Sequence, residues 1–235
     1  MSQPSPLWFA ARGLGFVLLL ALTGTVVLGV VTSRRWSAEG WPRFVTAELH
    51  RNLSLVAVVL LGLHGASVLL DTYAGLGLRD VLVPFATAYR PLWVGLGVLA
   101  GELLVALVVV STFRQLFGYR LWRFTHWAAY AAWPLALLHG LGTGSDTPFG
   151  WALVLYAGCA GAVLLAVLVR LSLHAAALSP SRLLAGAVVA CAALAVALWT
   201  MLGPLQPGWA AAAGTPPNLL GGGQAAPASS PSPGP

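Results

Sequence analysis

Six long apolar runs dominate this sequence, and they leave few choices of fold. They cover residues 13–32, 50–70, 92–113, 124–141, 150–169 and 183–202. A helix needs about 20 mostly apolar residues to cross a bilayer, and each run is close to that length. Of the 235 residues, 58% are hydrophobic and only 8% charged. A soluble domain carries about 25% charged residues, so lipid must cover much of this surface. The expected fold is all-α, a six-helix transmembrane bundle forming one domain over residues 1–203. The first run is longer than the apolar core of a cleavable leader, and no A-x-A-like site follows it, so it reads as a retained span.

The formal net charge is +6, and every basic residue is an arginine. The arginines are scattered between the runs and form no basic stripe, so the charge does not point to nucleic acid. It reads as a topology signal. Arg34, Arg35, Arg43, Arg51, Arg114, Arg120, Arg123, Arg170 and Arg182 fall on one side of the membrane, and Arg12, Arg79 and Arg90 on the other. The richer side is expected to be cytoplasmic, with both termini outside. The absence of lysine and the excess of Ala, Leu, Gly and Val suggest a GC-rich bacterial genome, and the expected location is the bacterial cell membrane. Trp36, Trp41, Trp93, Trp122 and Trp151 lie near run ends, where tryptophans form interfacial belts. Cys159 and Cys191 lie within apolar runs and read as buried free thiols. Residues 204–235 are rich in Pro, Gly, Ala and Ser and carry no charge. They are expected to be a disordered tail.

Four of the five histidines sit inside runs: His50 and His64 in the second, His126 and His139 in the fourth. A histidine in a span is costly and faces the bundle interior with a partner. Spans two and four run in the same direction, so His50 pairs with His126 at the cytoplasmic depth and His64 with His139 toward the outside. Within a span the histidines lie about 20 Å apart along the axis, too far for all four to hold one zinc ion. Fourteen residues leave His50 and His64 only about 40° apart around their helix, whereas thirteen leave His126 and His139 about 140° apart. Pro134 lies between the latter two, and a local distortion there is expected to turn His139 toward the interior. The rival readings are polar contacts between helices in a structural or transport protein, and a proton relay.

The spacings H-x13-H and H-x12-H, on parallel spans separated by one helix, carry a family resemblance. So does the local text LHRNLSLVAVVLLGLHG and HWAAYAAWPLALLHGLGTG. The sequence resembles the ferric reductase-like transmembrane domains over about residues 13–169. That group includes the membrane halves of NADPH oxidases and ferric reductases, and the haem subunit of the bacterial methionine-sulfoxide repair system. The resemblance implies two b-type haems, each with two histidine ligands and no open iron position, and electron flow from inside to outside. It also usually implies a flavin and a nicotinamide donor. No Gly-rich dinucleotide fingerprint follows a strand here, so the expected donor is a separate flavin reductase or quinol. The acceptor is expected outside the cytoplasm, and one version of this reading is the haem subunit of a periplasmic repair reductase.

Haem propionates are anionic, which makes Arg51 and Arg123 candidate partners for the inner site and Arg90 for the outer. Glu102, midway along the third span, is expected to face inward, either as a neutral acid bonded to a neighbouring helix or as a proton-moving or histidine-supporting group. Phe124, Trp127, Trp133 and Phe149 are expected to pack near the haems. His174 reads as a headgroup or solvated residue of the last cytoplasmic loop.

Overall fold

The computed structural model describes residues 4–33, 42–172 and 180–220. Arg34, Arg35, Trp36, Trp41 and His174 therefore lie outside the described residues, as does the tail beyond 220. The described residues form eight α-helices and one short 3₁₀ turn, with no strand. Six helices are long: α1 (Pro6–Ser33), α2 (Arg43–Leu70), α4 (Pro91–Thr112), α5 (Arg114–Thr143), α6 (Gly150–Ser172) and α7 (Pro180–Leu202). The short ones are α3 (Leu78–Leu82) and α8 (Trp209–Ala212). Five of the long helices are apolar enough over their length to cross a membrane; α5 falls short. The shortfall has a chemical cause, since α5 carries His126, His139, several arginines and many aromatic side chains. The chain is a multi-pass, all-helical membrane protein.

Between lipid-covered helices there is little hydrophobic driving force, so close packing and interhelical hydrogen bonds hold the bundle. Helix α1 packs mainly on α2, and α4 on α5, with α1 also touching α5 and α6. Small residues permit the approach. A Cβ at Gly24 would lie 2.8 Å from Leu53 of α2, and one at Gly142 would run into the Trp93 ring. Ala57 and Ala152 are fully buried. The core gathers Leu18, Leu22, Ala57, Leu104, Trp133, Leu137, Leu141 and Tyr156 from five helices. Within it the Trp133 indole donates to Thr23 Oγ1 at 2.9 Å, tying α5 to α1. Helix α7 lies against α6 at the edge, with most of its apolar side chains outward.

Several expectations change here. Helix α5 keeps helical dihedrals through Pro134; its one non-helical residue is Gly118 (φ 76°, ψ 161°). No unwinding at Pro134 therefore turns His139. Glu102 points out of the bundle rather than in, because α4 presents Ala100, Leu104 and Leu107 to the core and Glu102 lies on the opposite face with Val105. Cys159 is buried, but Cys191 is exposed on α7.

The uncharged segment after 203 holds structure as far as Leu220. Trp209 of α8 packs with Trp93 (5.5 Å between ring centres) and Trp199 (5.8 Å). Its indole donates to the Gly142 carbonyl at 3.1 Å. Aromatic burial and capped polar groups thus supply what composition alone did not suggest.

Candidate functional site

Helices α2 and α5 bring the four histidines together in two pairs. The ring centres of His50 and His126 are 6.2 Å apart, with planes at 62°. Those of His64 and His139 are also 6.2 Å apart, with planes at 87°. All four are half-buried. The unequal azimuths on α5 are absorbed by the two side chains lying against different neighbours. His139 lies against α4, whereas His126 stacks on Trp122, one turn earlier in its own helix (5.0 Å, 24°).

Three of the imidazoles are fixed by the backbone of a neighbouring helix. His50 Nδ1 lies 2.9 Å from the Thr25 carbonyl, His64 Nδ1 2.9 Å from that of Ala11, and His139 Nδ1 2.9 Å from that of Trp93. A carbonyl oxygen can only accept, so Nδ1 carries the proton in each ring. The lone pair is then on Nε2, the nitrogen free to act as a ligand. His126 differs: its buried Nδ1 has no hydrogen-bond partner. Among the described residues, no cluster of three or more His, Cys, Asp or Glu side chains could hold a metal ion. The arrangement is two separate two-histidine sites.

The three arginines singled out from sequence have distinct surroundings. Arg51 is exposed and pairs with Glu48 at 2.8 Å. Arg123 is exposed and lines an open groove with Tyr119, Arg120, Phe124 and Trp127. Arg90 is buried, with Nε donating to Thr215 (2.8 Å) and Nη1 to the Gly142 carbonyl (3.2 Å). It braces the segment after α7 against the end of α5. Arg170 of α6, read from sequence only as a topology charge, donates to the Tyr130 hydroxyl at 2.8 Å and to Ser33 at 3.3 Å. Tyr130 is one turn beyond His126, so Arg170 is a cation at the His50–His126 end. Arg12, next to the carbonyl that supports His64, is held by Asp146. Trp133 packs in the core, while Phe124, Trp127 and Phe149 are largely exposed.

Fold and site together define a class: helical membrane proteins that carry paired histidines on two neighbouring spans. Residues 8–137 match the family model described as ferric reductase like transmembrane component. The match covers more than half of the chain, which belongs to that family. It takes in His50, His64 and His126 and stops just before His139. No curated protein and no solved structure matches the sequence.

Proposed function

We propose that this chain is a di-haem, b-type electron-transfer subunit of a bacterial cell membrane. It moves electrons from a donor on the cytoplasmic side to an acceptor outside. The observation that carries this reading is the geometry of the two imidazole pairs. Two metal–nitrogen bonds of about 2.0–2.1 Å, plus roughly 1.1 Å from each nitrogen to its ring centre, add up to ~6.3 Å between centroids. Both pairs stand at 6.2 Å. The Nδ1 hydrogen bonds favour the same use, because they leave Nε2 as the donor atom in three of the four rings.

His50 and His126 would hold the haem nearer the cytoplasm, and His64 and His139 the one nearer the outside. A haem so held supplies a one-electron iron couple. The chain's own residues orient the ligands, keep the surroundings apolar and set the separation. On α2 the two sites lie about 21 Å apart, most of the way through a core about 30 Å thick. Arg123, three residues before His126, and Arg170, which reaches Tyr130 one turn beyond it, are candidate cations for anionic groups at the inner site. Arg51 and Arg90 are engaged by Glu48 and by Thr215 with Gly142. The arginine distribution supports an orientation with both termini outside. The donor is a separate flavin reductase or quinol, and the acceptor is extracytoplasmic.

Vesicles with trapped ferricyanide test this reading. With the purified chain in the bilayer and a membrane-impermeant reductant outside, the trapped ferricyanide should be reduced at least tenfold faster than in protein-free vesicles. A His64→Ala chain should bring the rate close to that background. Equal rates with and without the wild-type chain would contradict the proposal.

A further inference from the structure

We propose that Gly15, Gly29 and Gly97 are positioning residues that seat three of the four imidazoles. Each glycine lies four residues after the carbonyl that takes the Nδ1 proton: Ala11 and Gly15 for His64, Thr25 and Gly29 for His50, Trp93 and Gly97 for His139. Inside a helix such a carbonyl already accepts from the amide four residues on. A second donor can reach that oxygen only across the surface of the following turn, over the residue at that fourth position. A glycine there lets the ring lie directly over the turn, with no side chain between it and the backbone.

The rings lie against these glycines to different degrees. A Cβ at Gly15 would make an ordinary contact with His64 Cε1 at 3.5 Å, whereas one at Gly29 would lie 3.2 Å from His50 Cε1, tight enough that the ring must give by a few tenths of an ångström. A Cβ at Gly97 would overlap the His139 ring itself. Gly15 and Gly29 are separated by the same interval as His64 and His50, as antiparallel packing of α1 on α2 requires. His126 completes the pattern by exception. Helix α4 has no glycine after Gly101, and His126 Nδ1 has no partner. The His64–His139 site therefore has two seats and the His50–His126 site one.

A seated imidazole is held in one tautomer, and its Nδ1–H···O bond makes Nε2 a stronger donor. Stronger donation stabilises the more oxidised metal. Pushing a ring off its carbonyl should then raise the midpoint potential of that site alone. This rests on the haem reading above, and the experiment separates the two. The full chain is purified with Gly29→Ala, Gly97→Ala or Gly13→Ala; a Cβ at Gly13 meets open space on the same helix as two of the seats. Haem per chain is measured, and each midpoint is followed by potentiometric titration with optical and electron paramagnetic resonance detection.

Gly13→Ala should match wild type. Gly29→Ala should retain both haems, with one midpoint moved upward and its resonance signature changed while the other stays. Gly97→Ala should halve the haem content. If Gly97→Ala does not fold, Gly29→Ala still decides. A Gly29→Ala chain with both midpoints and signatures identical to those of Gly13→Ala would overturn the proposal while leaving the haem reading intact. A wild type without haem would overturn both.

Discussion

The polar side chains inside this bundle are few, and most are spoken for. Trp133 shows what one such contact is worth. Its indole is buried and donates to Thr23 Oγ1, which in turn donates to the Leu19 carbonyl. Trp133→Phe removes the donor and should cost about 0.5–1.5 kcal/mol, seen as earlier thermal unfolding in detergent, with the histidine pairs untouched. At this scale the sequence was partly legible. Histidine is rare enough in apolar runs that His50, His64, His126 and His139 stood out, and their nearly equal spacing on parallel spans paired them. The partners of their Nδ1 atoms are carbonyls, which every residue has, so no residue type announced them. The trace that was available is the glycine interval in the first run, which copies that of the histidines in the second. Arg170 was hidden differently: its charge served the topology argument, and only folding brings it to Tyr130.

Among the elements, α5 departs most from what periodicity suggests. Its apolar stretch was legible as 124–141, whereas the helix spans Arg114–Thr143 and turns at Gly118. That turn was illegible because one glycine among 27 carries no mark of a positive φ. The proline at 134 drew attention instead, since proline cannot donate to the carbonyl four residues back and clashes with it. The helix stays regular there, and His139 meets His64 by lying against Trp93 and Gly97 of α4. Pro134→Ala should therefore keep the same haem content and the same reduced spectrum as wild type. Loss of one haem in that variant would show that the proline does position His139. Glu102 was misread for a related reason. Period and hydropathy identify a span, but which face meets the core depends on the neighbour, and α4 turns its small and branched apolar residues to α5.

At the scale of the whole molecule, the run pattern made the helical membrane architecture legible, because length and apolarity specify a spanning helix in five of the six long helices; α5, with its histidines, arginines and aromatics, is the exception. The structure of the segment that follows α7 was less visible. Composition after 203 is that of a tail, yet Trp209 and Thr215 lock the chain to Gly142 and Arg90 as far as Leu220. The central claim concerns the two histidine pairs, and haem quantitation with a reduced-minus-oxidised spectrum tests it most directly. It should be run on the wild-type chain and on His50→Ala, His64→Ala, His126→Ala and His139→Ala. Wild type should carry about two haems per chain with a b-type α-band, and each variant about one, as expected if each iron needs both of its imidazoles. A wild type without that band, or four variants that all keep the wild-type haem content, would contradict the claim.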